Sequence, residues 1–439
     1  MRLLRPTYVE VDLDIIKHNI NEIKKVIDKN TKLGAVVKAN AYGHGAIEVA
    51  KVLEEENVDY ICVAGLNEAI ELRNNNIKLP ILVMGYTPDD CLDIAIQHNI
   101  TLTIFSKEQA EILSNKSKKT TQKANIHIKI DTGFNRLGFK IDESLPSTIN
   151  YIYNLPNINV EGIFSHLALK DEKSDYDQFN KFINLLDKVK RINIPIKHIC
   201  DSIGMVAYKD FHMDMVRVGA SLYGYNSRKS EMDLKPAMTF KSKFAQIKTI
   251  KKGEGISYDY SYIADKDMKV GTVLCGYSDG IPRILSNKGY VYVNGKKANI
   301  LGKICMDQCI VDLTDIKDVS MDSEVIFYGN GGPNLLDVAN LADTNRNELL
   351  SIVSRRVARV YIKDKKISFV YCAASVEFSR QIMNILNSVD KNIKLSISNN
   401  NLICCGEGIC GACIVDLNGK KVKTCKAQID SREYLTHIK

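Results

Sequence analysis

"LGAVVKA", residues 33–39, decides the fold. It is a short run of apolar, partly β-branched residues that reaches a lysine, Lys38. Before it, "DLDIIKHNINEIKKVI" (12–27) spaces Leu13, Ile16, Ile20, Ile23 and Ile27 by three and four, the stripe of an amphipathic helix. After it the same kind of run returns as "DYICVAG" (59–65), "PILVMG" (80–85), "LTIF" (102–105), "ANIHIKID" (124–131), "NVEGIFSH" (159–166), "KHICDS" (197–202) and "DMVRVG" (214–219). Stretches of helical pattern, such as "KEQAEILSNKS" (107–117) and "YDQFNKFINLLDKVKR" (176–191), lie between them. Strands that are apolar on both faces, alternating with helices, belong to a parallel sheet covered on both sides. Eight such units over about 220 residues favour a closed (β/α)8 barrel. A doubly wound open sheet is the alternative, but no G-x-G-x-x-G follows the first strand.

From Ala237 the period changes to two. "AMTFKSKFAQIKTIKKGEGISYDYSYIA", "GTVLCGY", "KGYVYVNGKKANILGKICMDQCIVDLT" and "SEVIFYGN" read as strands with turns between them. The chain therefore divides into an α/β barrel over 1–237, a β-rich domain over 238–363 and an extension over 364–439. A length of 439 residues suits two or three domains. With 45% hydrophobic and 26% charged residues the chain is globular rather than disordered. No apolar run is long enough to span a bilayer, and the start lacks a signal-peptide core, so a cytoplasmic protein without membrane contact is expected. The net charge of +8 is scattered over short lysine runs with no interleaved aromatics, which argues against nucleic-acid binding.

In such a barrel, chemistry collects at the C-terminal ends of the strands. Here the strand ends carry Lys38, Arg136, His166, Ser202 and Arg217, the last followed by Gly219 and Ala220. Each has an ordinary reading as a solvated, ion-paired or core residue; together at one rim they point to a site. A lysine among apolar residues loses its proton readily and can form an imine with an aldehyde. A serine hydroxyl and backbone N–H groups suit a phosphate, and arginines suit a phenolate oxygen or a ring nitrogen. That set fits pyridoxal 5'-phosphate.

Residues 1 to about 363 resemble alanine racemase, the barrel class of pyridoxal-phosphate enzymes. The resemblance rests on "AVVKANAYGHG" (35–45), "KIDTGFNRLGF" (129–139), "GIFSHLA" (162–168), "MVRVGASLYG" (215–224), "GISYDY" (255–260), "GYSDGIPR" (276–283) and "ICMDQ" (304–308), in that order. It implies an isomerase that interconverts L- and D-alanine for cell-wall peptidoglycan. Lys38 would carry the cofactor and act as base on the D face of the substrate. Tyr258 would be the base on the L face, contributed by the partner subunit of a homodimer. Tyr42, Ser202, Gly219 and Ala220 would hold the phosphate, and Arg136 the phenolic oxygen. Lys129 matches a lysine often carbamylated in the family. His166 would link Arg217 to Tyr258, and Met306 and Tyr277 would meet the substrate carboxylate. An arginine facing the ring nitrogen keeps its proton, which should suppress side reactions such as transamination. Asp201, where relatives have asparagine, Val218 in place of proline, and Arg355 near the entrance are departures. Arg355 leaves serine or broader specificity open, and a non-catalytic redox sensor on the same scaffold is the other alternative.

Within the extension, five of the twelve cysteines fall between Cys404 and Cys425. Cys405, Cys410, Cys413 and Cys425 follow C-x4-C-x2-C-x11-C, whose first spacings match the plant-type [2Fe–2S] pattern. Zinc is the competing metal. "ISFVYCAASVEFSRQIMNILNSVDKNIKLSI" (367–397) reads strand, helix, strand. With the cysteine loop it resembles the end of the electron-transfer subunit of B-type dihydroorotate dehydrogenase. Racemisation moves no net electrons, so an iron–sulfur tail implies a regulatory or structural role, or docking of a redox partner.

Overall fold

A computed structural model describes residues 5–120, 122–226, 228 and 230–363, and beyond them the elements at 366–373, 376–389, 394–398, 414–417 and 420–423. It forms two compact units, Ile15–Lys235 and Met1–Asp14 with Pro236–Lys439.

Eight parallel strands build the first unit: Lys32–Val36, Tyr60–Val63, Ile81–Val83, Thr101–Ile104, Ala124–Asp131, Ile158–Phe164, Ile196–His198 and Met215–Val218. They neighbour one another in chain order, and the eighth pairs with the first, Val218 opposite Ala35. The seventh and eighth are joined by backbone bonds from Asp214 N to Lys197 O and from Arg217 N to Cys200 O, both 3.0 Å. The sheet is thus a nearly closed barrel of the expected kind. Strands such as Thr101–Ile104 and Met215–Val218 are buried along their whole length, because the barrel interior takes one face and the helices the other. Val36, Cys62, Leu82, Ile196 and Met215 form one interior cluster. Ile16, Ile20 and Ile23 bury the predicted stripe of the helix Leu13–Val26.

The second unit is an extended sheet. Chain order alone gives residues 1–237 to the barrel, but contacts assign Met1–Asp14 to this unit. "YVEVD" alternates buried with half-buried, as a strand of an open sheet does, and the strand Tyr8–Asp12 lies between two others. It runs antiparallel to Met238–Ser242, with Val9 opposite Phe240, and parallel to Ala358–Lys363, with Val9 opposite Arg359. Antiparallel strands from Phe244 to Tyr328 complete the β-rich part.

The extension continues this same sheet. Ala358–Lys363 pairs antiparallel with Lys366–Ala373, Val360 opposite Val370. After the helix Val376–Val389, Lys394–Ser398 returns parallel, with Leu395 opposite Val370. This is the strand, helix, strand order expected from sequence. Cys405, Cys410, Cys413 and Cys425 lie outside the described residues. Among the described residues no helix is long and apolar enough to cross a membrane, and no group of three His, Cys, Asp or Glu side chains is placed to hold a metal.

Candidate active site

Lys38 follows the first barrel strand by two residues and opens the turn Lys38–Tyr42. Ala39, Asn40, Ala41 and Tyr42 all have left-handed backbone, with φ of 53°, 54°, 54° and 51°. At roughly 1–2 kcal/mol for each non-glycine residue, such a turn costs on the order of 4–8 kcal/mol. Its neighbours hold it: Asn40 Oδ1 accepts from Ala46 N at 2.8 Å, Glu68 Oε1 from Ala39 N at 2.6 Å, and Val37 O from Ala41 N at 2.8 Å. The turn places Tyr42 beside the eighth strand. A Cβ on Gly219 would stand 2.6 Å from Tyr42 Oη, so only glycine lets the phenol come so near. Burial, then Asp201, pushes the Tyr42 phenol up to about 12, which keeps its proton for donation.

Ser202 opens the short helix Ser202–Ala207 after the seventh strand, and its Oγ accepts from Gly219 N at 2.9 Å. Ser202 O–H, Tyr42 O–H and the backbone at Gly219 and Ala220 therefore meet in one small polar pocket. Asp201 departs from the family asparagine without leaving its charge loose. Its carboxylate caps this helix, accepting from Ile203 N and Gly204 N at 2.9 Å each.

Arg217 is buried in the eighth strand. Its Nη2 donates to Ser165 O at 2.8 Å, Ile199 O at 3.0 Å and His166 Nδ1 at 3.4 Å, and its Nη1 donates to His198 Nδ1. A guanidinium only donates, so His198 carries its proton on Nε2. That proton goes to His127 Nδ1, 2.8 Å away, which leaves the His127 proton on Nε2. His127 Nε2 has no hydrogen-bond partner among the described residues. Burial, with Arg217 next, pushes His127 down to about 3, and His198 and His166 are lowered by the same causes, His166 to about 2. All three are neutral at working pH.

Phe164 backs this row of basic side chains. His198 stacks on its ring at 4.7 Å, Lys129 Nζ lies 4.8 Å from its centroid and Arg217 Cζ 5.1 Å. Burial, then Arg217, drives the Lys129 amine well below its ordinary value. Arg136 sits on the exposed loop after the fifth strand, its guanidinium 4.3 Å over Phe134, which in turn touches His166 at 5.2 Å between ring centroids. Burial lowers the Lys38 amine, and Arg136 and Arg217 lower it further, against Glu68 and Asp201. Lys38, Tyr42, Lys129, Arg136, His166, Ser202, Arg217, Gly219 and Ala220 thus gather in the first unit. The His198–His127 pair was not singled out from sequence. Its signal was present: His127 is two residues before Lys129 in one strand, so both project to the same face.

Tyr258, Tyr277 and Met306 belong to the second unit, on three linked loops. Tyr258 sits in a turn where Ser257, Asp259 and Tyr260 have positive φ. Ser257 Oγ donates to Lys303 O at 2.5 Å, and Asp259 pairs with Lys303. Tyr277 N donates to Cys305 O and Ser278 N to Met306 O, both 3.0 Å. Tyr258, Tyr277 and Met306 are 65%, 40% and 52% exposed.

The barrel residues suit pyridoxal phosphate. Four basic side chains, Lys38, Lys129, Arg136 and Arg217, gather where the carboxylates, Glu68 and Asp201, are already engaged by backbone N–H groups. Such a cluster calls for an anionic ligand. Two hydroxyls beside a glycine that only a side-chain-free residue could occupy give a cradle for a phosphate, and a desolvated amine gives the attachment point.

The model for "Alanine racemase, N-terminal domain" matches residues 11–227, and that for "Alanine racemase, C-terminal domain" matches 237–361. The model for "2Fe-2S iron-sulfur cluster binding domain" matches 355–438 and so overlaps the last racemase strand. "Alanine racemase 1" of Caldanaerobacter subterraneus is 41% identical over 82% of this chain and 96% of its own. "Alanine racemase" of Clostridium tetani is 40% identical over 83% and 97%. Among solved structures, alanine racemase of Clostridium difficile 630 has a TM-score of 0.81 at 38% identity, over 84% of this chain and 99% of that one. Alanine racemase of Bacillus anthracis with bound L-Ala-P scores 0.79 at 30% identity, over 84% and 98%. The chain belongs to the alanine racemase family, pyridoxal-phosphate-dependent isomerases.

Proposed function

We propose that this chain interconverts L- and D-alanine with Lys38 and Tyr258 as bases on opposite faces of Cα, supplying D-alanine for peptidoglycan. The observation that carries the reading is Lys38: a desolvated amine at the mouth of a barrel, beside a hydroxyl-lined cradle and two arginines. When bound, pyridoxal phosphate supplies the electron sink that makes the Cα proton of an amino acid removable. Lys38 would hold it covalently. Tyr42 and Ser202 donate their hydroxyl protons to its phosphate, Ser202 being free to do so because its lone pair already holds Gly219 N–H. The backbone at Gly219 and Ala220 closes the cradle. Arg136 would pair with the phenolic oxygen and Arg217 with the ring nitrogen. The His198 anchor keeps Arg217 a donor, and an arginine does not give up its proton there. Burial, then Arg217, lowers the Lys129 amine and so favours the neutral form that adds carbon dioxide, and its carbamate would orient Arg136.

In the L-to-D direction Tyr258 Oη receives the Cα proton and Lys38 Nζ delivers one to the opposite face; the reverse direction exchanges the roles. Tyr277 and the Met306 N–H hold the substrate carboxylate. Tyr258, Tyr277 and Met306 would come from the partner subunit of a homodimer, as the family resemblance implies, and their exposure leaves them accessible for that. The tail is read as a [2Fe–2S] domain on Cys405, Cys410, Cys413 and Cys425, with zinc as the other metal for the same thiolates, and with a redox-sensing or structural role. Its continuation of the racemase sheet favours a role tied to the enzyme over loose tethering of a redox partner.

The test is hydrogen exchange at Cα in heavy water with Tyr258→Phe. Loss of one general base costs roughly 100- to 10,000-fold. The variant should lose exchange from L-alanine by that factor while D-alanine still exchanges through Lys38 without racemising. Equal loss from both isomers, or none from either, would contradict the assignment.

A further inference from the structure

We propose that Arg356 is a positioning residue for the substrate carboxylate, acting as a clamp on the loops that carry Tyr277 and Met306; this rests on the assignment of those two residues to the carboxylate. The clamp is built on Asp279, which ends the turn Tyr277–Asp279 and is fully buried. A buried carboxylate needs every acceptor site filled. Asp279 Oδ1 accepts from Arg356 Nε at 2.7 Å and from Arg5 Nη1; Oδ2 accepts from Arg5 Nη2 at 2.6 Å and Gly276 N at 2.9 Å. Ser354 N also donates to Asp279 O at 3.1 Å. The turn bearing Tyr277 is therefore fixed from its far end.

Arg356 does more than neutralise Asp279. Its Nη2 donates to Asp307 Oδ1, and Asp307 is the residue after Met306. One planar guanidinium thus spans both loops, which a lysine could not do with the same geometry. The loops it joins are already in contact. Tyr277 N and Ser278 N bond to Cys305 O and Met306 O, and a Cβ on Gly276 would lie 2.3 Å from Cys305 O. Arg5 reaches Asp279 as well, but its reach toward the second loop is a 3.4 Å bond to Asp307 O, not to the carboxylate. Arg356 is the side chain that ties the two carboxylates together.

Its place in the chain adds a consequence. Arg356 stands two residues before Ala358–Lys363, the strand that closes the racemase sheet on one edge and pairs with the tail strand Lys366–Ala373 on the other. The 2Fe–2S match begins at residue 355, one position ahead of it. A shift of that strand is felt at Tyr277 and Met306 through this side chain, and so in substrate binding ahead of proton transfer.

The experiment compares Arg356→Gln, Arg356→Lys and Asp307→Asn in the full-length, pyridoxal-phosphate-loaded protein, with KM and kcat for L-alanine and the melting temperature. Arg356→Gln should raise KM roughly tenfold or more with kcat within about threefold of the parent; Arg356→Lys should restore part of the KM, and Asp307→Asn should raise it less. A clamp that is only structural would lower the melting temperature and leave KM alone. KM within about twofold of the parent in Arg356→Gln overturns the proposal. Should that variant not fold, an unchanged KM in Asp307→Asn overturns it equally. Failure of the underlying assignment shows separately, as an unchanged KM in Tyr277→Phe.

Discussion

Acid should unfold the barrel through the two histidines behind Arg217. His127 and His198 are both fully buried, and burial and Arg217 hold both neutral far below the ordinary histidine value. In the unfolded chain they titrate near ~6.5. The folded values lie below the unfolded ones, so between them the unfolded state binds more protons, and stability rises with pH and is lost as pH falls through about 6.5. From pH 7.5 to 5.5 each histidine lowers the unfolded state by RT ln 11, about 1.4 kcal/mol, less about 0.1 kcal/mol already present at pH 7.5. For His127, whose folded value of about 3 lies well below this range, the loss is about 1.3 kcal/mol, and His166 and His198, also held neutral, add losses of the same sign. The chain has no tryptophan, so urea unfolding is best followed by far-ultraviolet circular dichroism at both pH values. In His127→Asn the acid loss should shrink by about 1.3 kcal/mol, whatever that substitution does to stability at pH 7.5. An identical acid loss in parent and variant, or a parent loss under about 1 kcal/mol, would refute the neutral, buried state of His127.

Three further outcomes follow from the site. Arg136 is the second cause, after burial, of the lowered Lys38 amine, so Arg136→Gln should move the pH titration of cofactor attachment to higher pH, read from the cofactor's absorption spectrum. A shift to lower pH would contradict that electrostatic assignment. Gly219→Ala puts a methyl 2.6 Å from Tyr42 Oη and should weaken pyridoxal-phosphate binding roughly ten- to hundredfold by equilibrium dialysis, from about 1–3 kcal/mol of overpacking. Unchanged affinity would remove Tyr42 and Gly219 from the phosphate cradle. Anaerobically purified protein should hold iron and sulfide in equal amounts, lost in Cys410→Ser; zinc in their place would decide for the other metal.

Much of this was readable in the chain before its structure. The eight strands are apolar on both faces because a barrel buries both, so each stands out as a short β-branched run. Lys38, His166 and Ser202 end such runs, which puts them at one rim. The left-handed turn at 39–42 was not readable. "ANAY" contains no glycine, and its backbone is dictated by contacts from Ala46 and Glu68. Nor was the role of Tyr8–Asp12: its partners Met238–Ser242 and Ala358–Lys363 are far along the chain, and only pairing reveals them. The meeting of His127 with His198 likewise depends on register across two strands that are not neighbours. Of the adjacent arginines, Arg355 drew attention from sequence. The structure leaves Arg355 exposed and gives the contacts to Arg356.

The opposed pair of bases is tested most directly by following the chirality of alanine. Pure L-alanine incubated with the pyridoxal-phosphate-loaded protein should approach equal amounts of both isomers by chiral separation, and Lys38→Ala should abolish this. Cofactor-loaded protein that leaves L-alanine unchanged, or a Lys38→Ala variant that racemises it as fast as the parent, would contradict the account.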